Sequence, residues 1–501
     1  MNLPISLQSR FVAPALALSA LAVGLLDCHR DMSPPQLATV WTSTPAPQRR
    51  APPSDTDVAA AIERHFKDEA PLRSQVVRVD VTQGIATLSG SVGDILAKER
   101  ALKVAETIKG VRSVVDRIAV KPVARTDGQL RTDVMNALHR DPATRAYAIG
   151  VEARNGKVTL SGAADSWQQK TLFADVIKAV PGVAAVENEV EVHYPKDRSE
   201  ADIAADVKHR FANDVWLDGE TFGVTVSGHT VHLSGIAGSL GQEMRASSDA
   251  WVMGVDAVDD SKINVDWGAY DDQRHIVATP ERTDAQIAAA VRDAFVFDPR
   301  LKVLEPQVAV MDGTVTLSGA VDSAKARAAA EADAKNTVGV WDVRNDATVQ
   351  PSSQPADADI VRDAKRVLAD DAFLADGKSI QVSSAKGKVA LKGTISGFLE
   401  RWDAVADVES VPGVAEIDDD LSVQRTPAQI AASIEDRLVW DPMVERDHIT
   451  VSVAPDGVAT LTGTVDFVSE ARAAVDDASW GGANHVVDLL KLKSSRDSGI
   501  R

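Results

Sequence analysis

One short pattern recurs six times along the 501-residue chain and constrains its fold more than any other feature. The pattern is a leucine, a polar residue and a glycine, and its glycines are Gly90, Gly162, Gly235, Gly319, Gly393 and Gly463. A second glycine follows each of these after 19 or 20 residues, at Gly110, Gly182, Gly254, Gly339, Gly413 and Gly482. A nearly fixed offset repeated six times indicates tandem copies of one small module.

The residues that open each copy predict an amphipathic helix. In the fourth copy Ile287, Val291 and Phe295 follow one another at a spacing of four, which places them on one helical face. Thr283 offers a side-chain cap for the start of this helix. Asp298-Pro299 predicts its end, because the residue before a proline avoids helical geometry.

A hairpin, a second helix and a last strand are predicted after this helix. Asp312-Gly313 and Asn155-Gly156 predict tight hairpin turns, because these residues accept positive φ angles. Residues 324–337 predict a second helix, with the second glycine of the copy directly after it in left-handed conformation. Residues 186–192 alternate apolar and charged side chains, as in a strand with one buried face.

The predicted fold class is therefore α+β. We expect six tandem small αββαβ modules, each a three-stranded sheet with two helices on one face, after an N-terminal signal segment. The module bounds that we predict are 54–123, 126–195, 199–268, 282–350, 356–425 and 426–494.

The N-terminus predicts export. Arg10 precedes an apolar run over 11–26 that is shorter than a membrane-spanning helix requires, so 1–28 is interpreted as a signal peptide and not as a membrane anchor. Residues 29–53 are rich in Pro, Ser and Thr and predict a linker. Cys28 follows the apolar run as in a bacterial lipobox and is a candidate lipidation site. Asp27 departs from the small residue of that motif, and the alternative is an incidental cysteine in a discarded signal.

With both glycines in register, the copies resemble the BON (bacterial OsmY and nodulation) domain family. The second copy shows the resemblance in Asn155-Gly156-Lys157-Val158-Thr159-Leu160, in Leu160-Ser161-Gly162 and in the segment 182–188. The resemblance implies the αββαβ fold, a location in the periplasm or cell envelope, and a role in osmotic or envelope stress tolerance. It also implies attachment to phospholipid surfaces or to envelope proteins, and no catalysis.

Composition and motifs exclude several other classes of function. A formal net charge of −19 disfavours nucleic acid as a partner. The serine of the repeated pattern is replaced by Lys392 and Thr462 in two copies, so it is no nucleophile, and we predict no catalytic residue and no cofactor. His229 and His232 are predicted on opposite faces of a strand, so we also predict no metal site.

Two aromatic residues are candidate contact sites. Phe297 and Trp440 each precede an Asp-Pro pair at the end of a first helix, two residues beyond the apolar face of that helix. Either each ring covers the edge of its own sheet, or it is an anchor for a membrane or a partner protein.

The sequence favours a non-enzymatic exported protein that presents similar surfaces along a flexible chain to phospholipid membranes or envelope proteins. Residue Cys28 would anchor it to a membrane if lipidated. The alternatives are a protein scaffold or spacer without lipid contact and, less favoured, a hydrolase that the repeats target. The oligomeric state is left open.

Overall fold

The computed structural model describes residues 53–73, 75–194, 198–217, 222–268, 282–302, 306–351, 354–371, 374 and 379–493. These residues lie in one compact unit, Arg49–Arg501. The predicted signal peptide with Cys28, and nearly all of the predicted linker 29–53, lie outside the described residues.

Six modules follow one another and are called modules 1 to 6 in chain order. Their first helices are Asp55–Asp68, Asp127–Arg140, Glu200–Asn213, Asp284–Phe297, Asp357–Asp370 and Pro427–Trp440. Their second helices are Ile95–Glu106, Trp167–Lys178, Leu240–Asp249, Ala324–Lys335, Phe398–Glu409 and Val468–Trp480. Short helical turns are added at Ala70–Arg73, Pro299–Leu301 and Arg446–His448.

Each module has a three-stranded sheet. The first strands are Val76–Thr82, Gly150–Arg154, Phe222–Ser227, Gln307–Met311, Gln381–Ala385 and Ile449–Val453. The middle strands are Ile85–Val92, Lys157–Ala164, Thr230–Ala237, Thr314–Ser318 with Ala320–Val321, Lys388–Ile395 and Val458–Val465. The last strands are Ser113–Val120, Ala185–Val192, Ala257–Val265, Asp342–Asn345 with Thr348–Val349, Glu416–Val423 and His485–Leu492. The middle strand pairs antiparallel with the first and parallel with the last, which confirms the predicted fold class.

The first helices begin and end where the sequence predicted. The Thr283 hydroxyl accepts a hydrogen bond from the Gln286 backbone N–H at 3.3 Å, and the Gln286 side chain accepts one from the Thr283 N–H at 2.9 Å. Such a reciprocal cap satisfies backbone donors that the first turn leaves free. The helix ends at Phe297, directly before Asp298-Pro299.

The first glycine of the repeat lies inside the middle strand. Gly90 has a φ of 128°, and a Cβ built on it would lie 1.8 Å from the Val76 carbonyl oxygen across the hairpin. The strand continues to Val92. All six of these glycines have positive φ, which favours glycine, and in module 1 the first strand also passes too close for a side chain.

The second glycine has the predicted left-handed conformation, and in module 6 Gly482 follows the helix and its C-cap as predicted, but in module 1 the helix ends earlier. Gly110 has a φ of 94°, yet the second helix of module 1 already ends at Glu106. A turn separates the two, and in it the Val111 N–H donates to the Ile108 carbonyl at 3.0 Å. The turn brings Val111 under the helix, where it is fully buried.

The core of each module lies between its two helices and one face of its sheet. In module 2 the first helix contributes Leu130 and Val134, the second Phe173, and the middle strand Leu160, all essentially inaccessible to solvent. The other face of each sheet is turned away from the helices of its own module. The outer sides of the helices contact neighbouring modules, and these contacts form the candidate site.

Candidate inter-module interface

The cores of the six modules are not separate from one another. Leu399 of module 5 is buried in the core of module 1, and Ile95 of module 1 is buried in the core of module 2. Trp216 of module 3 packs against the core of module 6. Modules that are distant in sequence therefore share apolar surface, in contrast to the flexible string that the sequence favoured.

Stacked aromatic and cationic side chains reinforce these contacts. Trp167 of module 2 and Trp251 of module 3 stack with ring centroids 5.2 Å apart and planes inclined by 7°. Trp480 of module 6 meets the edge of Phe398 of module 5, with ring centroids 5.1 Å apart. The Arg100 guanidinium of module 1 lies 3.9 Å from the centroid of the Trp480 ring. Desolvated pairs of this kind stabilise an interface beyond their buried area.

The two candidate aromatic residues also lie at module boundaries. Phe297 packs against the core of module 3, and Trp440 packs against the core of module 1. The Trp440 carbonyl accepts a hydrogen bond from the Lys109 N–H of module 1 at 2.8 Å. Both rings thus pack on a neighbouring module, whereas one of the two alternatives that the sequence left open was the edge of their own sheet. Contact with a membrane or a partner protein stays a prediction for both.

An acidic residue directly follows each first helix and ties these boundaries together. These C-cap acids are Glu69, Asp141, Asp214, Asp298, Asp371 and Asp441. A carboxylate here accepts from the N–H two residues later, at 2.9 Å for Asp141 and Ala143 and 2.8 Å for Asp298 and Arg300. The acid thereby starts the turn that leads away from the helix.

Sequence reasoning found only part of this set. Asp141, Asp298 and Asp441 precede a proline and were interpreted as helix ends. Glu69, Asp214 and Asp371 lack that proline and were missed. Their spacing along the chain follows the spacing of the glycines, so aligning the six copies by their glycines would have found them.

In modules 1 and 2 the C-cap acid binds a cation from another module. Glu69 forms a two-pronged pair with Arg100 of its own module and a 3.1 Å pair with Arg437 of module 6. Burial would raise the pKa of Glu69, but Arg100 and Arg437 together hold it below its ordinary value. Asp141 pairs in the same way with Lys325 of module 4.

In modules 3 to 6 the C-cap acid meets a second carboxyl instead. The tenth residue of the second helix is an aspartate in these modules, namely Asp249, Asp333, Asp407 and Asp477. The same position is valine in modules 1 and 2, at Val104 and Val176. We call the resulting contacts the carboxyl pairs: Asp214–Asp249, Asp298–Asp333, Asp371–Asp407 and Asp441–Asp477.

Burial dominates the electrostatics of the carboxyl pairs. It raises the pKa of Asp214 to about 7, with Arg245 opposing the shift and Asp249 adding to it. Burial and the paired carboxylate raise the pKa of Asp333, Asp407 and Asp477 well above the usual aspartate range. Two carboxylates close together away from water cannot both ionise at low cost, so this environment favours the protonated form of one member of each pair.

The histidines singled out in the sequence are not brought together. His229 lies in the hairpin turn of module 3 with a φ of 59°, and His232 binds Asp259 through Nδ1 at 3.0 Å. Within the described ranges, no cluster of His, Cys, Asp and Glu side chains could hold a metal ion. None of the helices that the structure describes is both long and apolar enough to cross a membrane.

Known protein families and structures match the chain. The family model for the BON domain matches six times, at residues 54–122, 126–194, 199–266, 283–351, 356–425 and 426–494. "Osmotically-inducible protein Y" of Escherichia coli (strain K12) is 29% identical over 144 residues, which cover 27% of this chain and 72% of the relative.

Two solved structures of CdsD, described as a structural protein of the type III secretion system of Chlamydia trachomatis, also match. Both are 16% identical with a TM-score of 0.12. The match to the first structure covers 44% of this chain and 98% of the CdsD chain. The match to the second, which is the C-terminal domain, covers 43% of this chain and 100% of the CdsD chain.

Proposed function

This chain belongs to the BON domain family, and from that premise we propose that it is a non-catalytic, exported protein of the periplasm or cell envelope that acts in osmotic or envelope stress tolerance. The six family matches and the relative named for its osmotic induction support this proposal. Its molecular action is to hold envelope proteins on the outer faces of its sheets.

The observation that carries the proposed action is the charge on these outer faces. The last strand of module 2 exposes Glu187, Glu189 and Glu191 side by side, while Val190 between them is buried. The last strand of module 5 exposes three acids in the same register, Glu416, Asp418 and Asp420. Lys157, Lys388 and Lys392 of the adjacent middle strands pair with Glu187, Glu416 and Asp420, so these six acids face three lysines. The remaining excess of acid attracts a basic protein surface and repels anionic phospholipid.

A phospholipid surface is the second candidate. Trp341 and Trp402 are 43% and 59% exposed, and exposed tryptophan favours the headgroup layer of a bilayer. Contact through these rings would not require a basic surface. An acyl chain on Cys28 would hold the protein close enough for such weak contacts to add.

Growth of a deletion strain in high-osmolarity medium tests the stress role. We expect poorer growth than in the parent strain and full rescue by the intact gene. Equal growth of the two strains across osmotic, detergent and acid stress would refute the proposed role.

The mode of action is tested by crosslinking in the envelope and by cosedimentation with liposomes of differing anionic content. We expect glutamine at Glu187, Glu189 and Glu191 to remove protein crosslinks, and the same change at the exposed helix residue Glu63 to leave them. Salt-independent sedimentation with liposomes that alanine at Trp402 abolishes would favour the phospholipid surface instead. Mass spectrometry of the mature N-terminus decides whether Cys28 is acylated.

A further inference from the structure

We propose that the carboxyl pairs make the packing of the six modules proton-dependent, so that the modules hold together in mildly acidic surroundings and loosen as the pH rises. This is a regulatory property beyond the proposed function. It rests on a repeated geometry: the same two positions of the module carry the pair in four of the six modules.

The pairs of modules 3 and 4 lie at one boundary. Asp214 and Asp249 are faced by Arg210 and Arg245 of their own module, with Arg245 Nη2 bonded to Asp214 and Arg210 Nη2 bonded to Asp249 at 2.9 Å. Asp298 and Asp333 are faced by Arg300 of module 4 and by Arg210 of module 3, and Arg245 also lies within reach of Asp333. These two pairs and the arginines that face them bring together four carboxyls and three guanidinium groups.

The pair of module 5 is faced from module 2. Asp371 and Asp407 are accompanied by Asp403 on the same helix as Asp407, and the cation that faces Asp407 is Arg140 of module 2. Burial and Asp371 raise the pKa of Asp403 to about 8. Three further groups face Asp403, namely Arg100 and Asp94 of module 1 and Glu400.

The pair of module 6 is faced from module 1. Asp441 and Asp477 are joined by Asp476, and the cations are Arg437 of module 6 and Lys109 of module 1. In modules 4, 5 and 6 alike, a cation from another module thus approaches the aspartate of the second helix. Separating the modules would expose that aspartate and remove its cation, so its proton affinity depends on the packing.

One oxygen of each of these aspartates is buried without a hydrogen-bond donor from outside its carboxyl pair. No such donor reaches the Oδ2 atoms of Asp333, Asp407 and Asp477 among the residues that the structure describes. A buried, unpaired carboxylate oxygen is costly, whereas a protonated carboxyl leaves only a neutral oxygen there. The packed arrangement therefore suits the protonated form.

The sign of the effect follows from the direction of the shifts. A carboxyl whose pKa is raised by packing binds a proton in the packed state that it releases when exposed. Its contribution to the stability of the packed state is complete below about pH 4, the ordinary pKa of an exposed aspartate. Between that pKa and the raised pKa, the equilibrium constant for packing falls about tenfold per pH unit, and above the raised pKa the contribution is lost. For Asp214 this limit is a pKa of about 7.

Acids whose pKa is lowered by the packing limit the stabilisation of the packed state at low pH. Arg64 and His65 hydrogen-bond Asp436 and, against the effect of burial, lower its pKa to about 2, and the pKa of Glu69 is also lowered. Their contribution is lost only as the pH falls through those lowered values. The packing is therefore tightest in mildly acidic solution and loosens between about pH 5 and pH 8.

Small-angle scattering and thermal unfolding of the full chain at pH 5 and pH 8, at one ionic strength, test the proposal. We expect a smaller radius of gyration and a higher melting temperature at pH 5. A variant with asparagine at Asp333, Asp407 and Asp477 should lose most of both differences. The matched control, asparagine at the exposed Asp418 and Asp420, should keep them.

Three results would overturn the proposal: equal values at the two pH conditions, a full pH difference in the triple variant, or compaction at pH 8 by added Ca²⁺ with no response to acid. If the triple variant fails to fold, carbonyl NMR titration of the wild-type aspartates decides. Ordinary aspartate midpoints for all of the buried carboxyls would then refute it.

Discussion

The guanidinium of Arg210 lies over the ring of Phe297, with its central carbon 4.5 Å from the ring centroid, and the same guanidinium binds Asp249. Phe297 belongs to module 4, and the other two residues belong to module 3. One arginine thus joins a carboxyl pair to an aromatic contact across a module boundary.

Alanine in place of Phe297 should destabilise the protein by about 2–3 kcal/mol, because the substitution removes a half-buried ring that packs against the core of module 3. Chemical denaturation measures the change in the free energy of unfolding. Val296 is the neighbouring residue and is 71% exposed, so alanine there should change it by less than ~0.5 kcal/mol. Equal effects of the two substitutions would show that the ring does not dock.

Alanine in place of Trp440 should weaken the contact between modules 1 and 6 but leave liposome association unchanged. The ring packs against the core of module 1, so we expect it to stabilise that contact and not to bind a headgroup layer. Hydrogen exchange of the Lys109 N–H, which donates to Trp440, reports the contact, and cosedimentation reports the lipid. Loss of liposome binding without faster exchange would identify Trp440 as a membrane anchor.

Alanine in place of Gly463 should destabilise module 6 by more than ~3 kcal/mol, because the new Cβ would lie 2.0 Å from the His448 carbonyl oxygen at a φ of 136°. Gly128 is the matched control: it lies in the first helix of module 2 with open space around it. Alanine there should stabilise the helix by about 1 kcal/mol. Thermal unfolding compares the two variants.

Methionine in place of Arg437 should cost about 1–3 kcal/mol at neutral pH, because Glu69 keeps Arg100 but loses its cation from module 6. The pKa of Glu69 is lowered, so this contribution is present above about pH 4.3 and is lost as the pH falls through the lowered value. Acid unfolding of the variant should begin at a higher pH. A double-mutant cycle with glutamine at Glu69 isolates the pair, and a coupling energy near zero would contradict it.

The fold within a module was predictable because local rules govern it. Thr283 caps, Asp298-Pro299 ends a helix and Asn155-Gly156 turns a hairpin, each through neighbours close in sequence. The position of Gly110 was misjudged because the turn that buries Val111 has no residue signature of its own.

The site was less predictable because it forms between segments hundreds of residues apart. Arg437 and Glu69 are separated by 368 positions, and no periodicity of either helix indicates that they meet. Phe297 and Trp440 stood out in the sequence as misplaced apolar residues, but their docking surfaces belong to other modules. Only the C-cap acids left a trace, in their repeated spacing.

The salt bridge between Arg64 and Asp436 connects the first module to the last, with 3.0 Å between Arg64 Nη2 and Asp436 Oδ1. During synthesis module 1 is made long before module 6, so the surface of module 1 that binds module 6 is exposed to solvent until the last module has been made. A chain cut short before that segment would keep the surface for Trp440 and Trp480 open to solvent and prone to self-association. We therefore expect truncated chains that lack module 6 to self-associate more readily than the full chain.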